Sequence, residues 1–133
     1  MKKKKVLFLC THNSCRSQIA EGFLNYLYKD RYQAFSAGVE KTCVNPYAIE
    51  VMRDIGIDIS DHRSKTINEF KDNYFDIVVT VCDHAREVCP FFPGKKVIHK
   101  GFMDPSEEGN IEEILNRFRK TRDEIKNWIK EEF

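Results

Sequence analysis

The segment VLFLCTHNSCRSQIAEG, Val6 to Gly22, restricts the fold more than any other stretch of the chain. Val6–Cys10 is a short continuous apolar run, the pattern of a strand buried on both faces. The run stops at Cys10. Thr11 to Cys15 are small or polar, Arg16 follows, and Ser17 can cap a helix running to about Lys29. Ile19, Ala20, Phe23, Leu24 and Leu27 give that helix one apolar face. A buried strand that feeds directly into an amphipathic helix is the opening of a βαβ unit, which requires a parallel neighbour strand.

The rest of the chain supplies the neighbours. Gln33–Ser36 reads as a weaker strand closed by Ala37-Gly38. Asn45-Pro46 is a helix start, cap then proline at the first turn, and that helix carries Ile49, Met52 and Ile55 before stopping at Gly56. Phe75–Cys82, FDIVVTVC, is the clearest strand because of its β-branched residues. Lys95–Lys100 is a shorter one. Ile111, Ile114, Leu115, Phe118, Ile125 and Ile129 mark a long C-terminal helix. Alternating strands and helices imply a parallel sheet covered on both faces, whose ligands bind beyond the C-terminal strand ends. With 133 residues, one domain spanning 1–133 is expected.

Charge and composition remove several functions. A net charge of +1 gives no general electrostatic case for nucleic acid or membrane binding. No apolar run reaches the ~18 residues of a membrane span. The start MKKKKVLFLCTHNS has an apolar part too short for a secretory leader. A cytoplasmic location is therefore expected, with the five cysteines reduced at rest. The odd count also argues against a static disulfide framework.

The opening motif carries the chemistry. Cys10 falls where the first strand ends, and the loop Thr11, His12, Asn13, Ser14, Cys15 leads to Arg16 and a helix N-terminus. Loop N–H groups and the helix dipole would converge above Cys10 as an anion site and favour its thiolate over its thiol. Arg16 offers a planar fork for two oxygens of a tetrahedral oxyanion. Ser17 can donate a hydrogen bond to the sulfur. Cys15 reads as a packing residue, His12 as structural, and Cys43 as incidental. Cys82, His84 and Cys89 match no common zinc spacing, so no metal is expected, and no cofactor.

CTHNSCRS resembles the active-site loop of the low-molecular-weight protein tyrosine phosphatase fold, which true phosphatases share with thioredoxin-coupled arsenate reductases. SAG at Ser36–Gly38, NPYAIEVM at Asn45–Met52, GIDIS at Gly56–Ser60 and Asp104-Pro105 follow in family order. The resemblance implies a three-layer α/β fold, a central four-stranded parallel sheet flanked by helices on both faces. VTVCDHAREVCP resembles the redox pair of the reductases, and DPSEEG lacks the paired tyrosines usual in the phosphatases. The implied function is reduction of arsenate to arsenite by a relay of Cys10, Cys82 and Cys89, with Asp104 as general acid. Phosphate or sulfate would compete as anions, thioredoxin would restore the thiols, and the protein is expected to be a monomer. The alternative is a phosphatase hydrolysing aryl phosphates through a Cys10 phospho-enzyme. If the Cys82–Cys89 segment were helical, its thiols would lie roughly 10 Å apart along the axis, too far for a disulfide. The segment, with a helical turn over Asp83–Val88, must then rearrange during the cycle.

One position departs from the resemblance. Some of these reductases bind potassium beside the loop, and Asn13, Glu21 and Ser36 match three of the side chains. The fourth, usually an aspartate, is Lys65. Its ammonium could fill the same negative pocket and pair with Glu21, so no specific potassium requirement is expected.

Overall fold

The computed structural model describes residues 2–83, 87 and 89–133. Four strands, β1 (Lys4–Leu9), β2 (Tyr32–Ala37), β3 (Ile77–Thr80) and β4 (Lys96–His99), form one sheet in the order β2-β1-β3-β4. Every adjacent pair is parallel. Three helices, α1 (Arg16–Leu27), α2 (Pro46–Arg53) and α3 (Ile111–Glu132), and a 3₁₀ turn at Ile67–Phe70 complete the elements.

The alternation of β1 divides the core into two layers of packing. Val6 and Phe8 face a large cluster with Ile19, Phe23 and Leu24 of α1, Val51 and Met52 of α2, and Phe118, Ile125 and Ile129 of α3. Leu7 and Leu9 face the other side, with Phe75, Val78 and Phe92, where Phe70 of the 3₁₀ turn packs. The result is a three-layer α/β arrangement. Each large apolar side chain removed from water on the α1 face stabilises the fold by about 1.5–3 kcal/mol, and this packing, not helix propensity, holds α1 in place.

The register positions the site. Leu9 pairs with Ala37 on one side and with Thr80 on the other, and Thr80 pairs with His99. The four strands thus finish flush, and the next residues are Gly38, Cys10, Val81 and Lys100. Val81 N–H donates to Leu9 O (2.8 Å), extending the β1–β3 ladder by one step.

Several boundaries differ from the sequence-based expectation. The helix after the loop begins at Arg16, and Ser17 does not cap it: the cap position is Cys15, which makes no side-chain capping bond. Ser17 lies inside the first turn, with its hydroxyl engaged elsewhere. That helix ends at Leu27 rather than near Lys29, closed by Tyr28 N–H on Leu24 O (3.0 Å). The Asn45 cap is as expected, its side chain accepting from Tyr47 N–H (2.8 Å). Gly56 follows α2 in a left-handed conformation, φ +84°. Asn110 caps α3 by accepting from Glu113 N–H (2.9 Å). Among the described residues no helix is long and apolar enough to cross a membrane.

Candidate active site

The loop from Thr11 to Cys15 is held from outside by its carbonyls. Thr11 O accepts from Val39 N–H (2.8 Å), His12 O from the hydroxyls of Thr42 (3.0 Å) and Ser64 (3.1 Å), and Ser14 O from Asn45 N–H (2.9 Å). Asn13 O accepts from Gln18 Nε2 (3.2 Å). In a trans peptide the C=O and the following N–H point in opposite directions. Carbonyls engaged with the surrounding shell therefore leave the amides of His12 to Cys15 on the other side of the loop.

Asn13 is the strut of this loop. It adopts φ +50°, a conformation that asparagine tolerates better than most residues. Its side chain is buried, and it donates to Ser17 Oγ (2.8 Å) while accepting from Gln18 Nε2 and Lys65 N–H (both 2.9 Å). Gly38 closes the loop's other flank. A Cβ there would lie 2.8 Å from Asn13 N and Thr11 O, so only glycine allows the approach.

Cys10 Sγ is buried, 2.8 Å from Ser17 Oγ. Because that oxygen already accepts from Asn13 Nδ2, its own hydrogen is free to point at the sulfur. Cys10, His12, Ser14, Cys15 and Arg16 line a cavity of about 300 Å³, with Asp104 and the exposed Cys43 at its border. Cys15 is buried, and its thiol is pushed up to about 12 by burial first, then by the negative charge of Cys10 and of Asp104. It stays a neutral thiol at ordinary pH, in keeping with a packing role. His12 Nδ1 faces Glu40 Oε1 at 3.6 Å.

Arg16 is 2% exposed. Burial disfavours its charge, but the hydrogen bond to Glu87 and the charges of Cys10, Glu87 and Asp104 more than offset this. Nη1 donates to Glu87 Oε1 and to Phe102 O (3.0 Å), and Nη2 donates to Glu87 Oε2 (2.9 Å). Asp104 Oδ2 lies 3.8 Å from Nη2, while its Oδ1 accepts from Ser106 N–H and Oγ.

Cys82 lies two residues beyond β3, beside the end of β1. It is buried, with Sγ 3.7 Å from Leu9 O, and it is bonded to Cys89 with Cα atoms 5.9 Å apart. Cys10, Cys15 and Cys43 are free. The chain is thus in its oxidised form. Most of the turn expected over Asp83–Val88, namely residues 84–86 and 88, lies outside the described residues. So does His84 of the rejected zinc spacing. Its two described ends are joined by a hydrogen bond from Glu87 N–H to Asp83 O (3.0 Å). One helix-like bond therefore coexists with the disulfide.

Residues 5–131 match the family model described as low molecular weight phosphotyrosine protein phosphatase. The chain belongs to that family. It is 48% identical over 132 residues to an arsenate reductase of Halalkalibacterium halodurans, covering 98% of this chain and 95% of that one. Among solved structures it resembles an arsenate reductase in the phosphate binding state, with a TM-score of 0.81, 32% identity, and coverage of 96% of this chain and 95% of that one. It also resembles a thioredoxin-dependent arsenate reductase of Corynebacterium glutamicum, with a TM-score of 0.67, 28% identity, and coverage of 98% of this chain and 64% of that one.

Two features of this site have no signal in the sequence. Gln18 braces the loop through Asn13 and also meets His62 Nδ1 (3.0 Å), a residue that carried no expectation. Glu87 reaches Arg16 from 71 positions away. Neither contact has a local signal, because each depends on how distant segments pack. Lys65 is buried, its Nζ donating to Arg63 O (2.8 Å). Burial lowers its pKa, and Glu21's charge acts in the opposite direction. Glu21 also accepts from Ser36 Oγ (2.6 Å).

Proposed function

We propose that the protein reduces arsenate to arsenite through Cys10, Cys82 and Cys89. One observation carries the reading: a Cys82–Cys89 disulfide closed at the same sheet edge as a free Cys10. A phosphatase of this family needs only the loop cysteine. The named activity of relatives at 44–48% identity supports the same choice.

The sequence of steps conserves electrons. The Cys10 thiolate attacks arsenic, held by the loop amides and Arg16, while Asp104 protonates the departing oxygen, which leaves as water. The Cys82 thiolate then attacks the Cys10 sulfur. The sulfur–arsenic bond breaks with its electron pair going to arsenic, so arsenic(V) becomes arsenic(III) and arsenite leaves. Cys89 thiolate attacks Cys82, forming Cys82–Cys89 and releasing Cys10 as thiolate. The described state, with Cys82–Cys89 closed and Cys10 free, matches the end of this cycle. An external dithiol, of which thioredoxin is the candidate, returns two electrons and two protons.

The test is arsenate-dependent NADPH oxidation with thioredoxin and its reductase, against glutaredoxin with glutathione. Turnover with the first system supports the reading. Aryl phosphate hydrolysis without arsenate reduction in either system would assign the protein to the phosphatases instead.

A further inference from the structure

Asp104 stands at the border of the cavity that Cys10 and Arg16 line, and its two carboxyl oxygens have different surroundings. Oδ2 is 3.8 Å from Nη2 of Arg16, a residue of the same lining. Oδ1 accepts twice from one residue, from Ser106 N–H (2.9 Å) and from Ser106 Oγ (2.6 Å). The N–H bond alone would close the turn Asp104-Pro105-Ser106; the hydroxyl adds a second donor on the same oxygen. The turn is itself fastened to α3. Pro105 is buried, and Arg117 donates through Nε to Pro105 O (3.3 Å) and through Nη2 to Glu107 O and Glu108 O. Ser106 is thus anchored on both sides.

We propose that Ser106 is the positioning residue of the general acid: its two bonds occupy Oδ1, so that the acidic proton of Asp104 sits on Oδ2, beside Arg16 and the oxyanion. The inference rests on the reading of Asp104 as general acid. A carboxyl oxygen has two lone-pair positions, and the two Ser106 donors fill those of Oδ1. A proton on Oδ1 would displace one donor, whereas Oδ2 takes it without that loss. Rotation about the last torsion of an aspartate is broad and nearly two-fold, so the side chain alone does not decide which oxygen faces the site. Ser106 N–H and Oγ remove that freedom. As the bond to the departing oxygen breaks, the Oδ2 proton passes to that oxygen. It leaves as water from arsenate, or as a phenol from an aryl phosphate, and Asp104 remains as the carboxylate. The new charge develops on a group that already holds two donors, and hydrogen bonds to an ionised acceptor are the stronger kind.

The experiment compares reduced wild type, Ser106→Ala, Ser106→Thr, Asp104→Asn and the double variant Asp104→Asn with Ser106→Ala. Three reactions are followed: hydrolysis of p-nitrophenyl phosphate, hydrolysis of phenyl phosphate, and a single turnover of arsenate read by loss of free thiols. Nitrophenolate departs without a proton, whereas phenol needs one. Ser106→Ala is expected to lower kcat/KM for phenyl phosphate and the arsenate rate by about three- to tenfold, the worth of one hydrogen bond, and to change p-nitrophenyl phosphate by less than about twofold. Ser106→Thr keeps the hydroxyl and stays within about twofold of wild type in all three reactions. In the Asp104→Asn background Ser106→Ala has no further effect, because Ser106 acts only through Asp104. The proposal is overturned by equal losses on the two aryl esters, by a loss that persists in the Asp104→Asn background, by wild-type rates for Ser106→Ala, or by a Thr variant as slow as the Ala variant. If neither ester is hydrolysed, the arsenate cycle decides alone. Asp104→Asn that slows the two esters equally, or leaves the arsenate rate unchanged, would overturn the general-acid reading itself, and the placing of its proton with it.

Discussion

Ser17 Oγ stands 2.8 Å from Cys10 Sγ and accepts a hydrogen bond from Asn13 Nδ2 at the same distance. The strut that shapes the loop therefore also orients the hydroxyl on the Cys10 sulfur. Ser17→Ala removes the bond to sulfur and leaves a buried Asn13 donor unpaired. Loss of a hydrogen bond to a charged group, about 1.5–3 kcal/mol, corresponds to roughly 10–100-fold in rate. Arsenate reduction and aryl phosphate hydrolysis are expected to fall together by that factor in steady-state assays. A loss confined to one of the two activities would place Ser17 outside the shared nucleophilic step.

Gly38 supports the same loop from the neighbouring strand end. Gly38→Ala drives a Cβ to 2.8 Å from the backbone of Thr11 and Asn13, atoms that cannot swing aside. Overpacking of this kind costs about 1–3 kcal/mol, and a loop displaced by ~1 Å costs about a hundredfold in activity. Thermal unfolding and kcat should both report the change. An unaffected kcat would mean that the loop is not held by this contact.

Glu87 gives a pH signature. Its pKa is depressed to about 2 when docked on Arg16, against an ordinary value near 4.5. A depressed carboxylate stabilises the folded state above its unfolded pKa, and that stabilisation is lost as pH falls through the folded value. Glu87→Gln should therefore lower the Tm of the oxidised protein at pH 7 by about 3 °C. The gap between the two proteins should close between about pH 4.5 and about pH 2. A gap of constant size across that range would show that the Glu87–Arg16 pair does not contribute to stability.

Lys65 occupies the position at which the resemblance leads one to look for a potassium ligand. Its ammonium is buried beside Glu21's charge and bonded to Arg63 O. Activity and Tm should respond equally to potassium and sodium at equal ionic strength. A several-fold preference for potassium in either measurement would contradict this.

The parts legible in the sequence are those with local causes. The β1 run, the Asn45-Pro46 start and the period of α3 each act within a few residues, and each element is found within a few positions of its expected place. The cap at Asn110 and the 3₁₀ turn at Ile67–Phe70 were not foreseen. Within the site, Cys10, Arg16 and Ser17 were legible because one strand–loop–helix segment holds all three. The helix start was placed two residues late because Ser17 is a good capping residue that is drawn to the Cys10 sulfur instead. Asn13 as strut, Gln18 as brace and Glu87 on Arg16 were not legible: their partners are set by tertiary packing and, for Glu87, by a covalent bond that alters the segment carrying it.

The central claim is that three cysteines pass two electrons in order, and the variant Cys89→Ser tests it most directly. With the resolving thiol removed, one equivalent of arsenate should convert the reduced protein to a trapped Cys10–Cys82 disulfide, found by peptide mass spectrometry, while aryl phosphate hydrolysis before arsenate treatment is retained. Recovery of Cys10 and Cys82 as free thiols after arsenate treatment would contradict the relay.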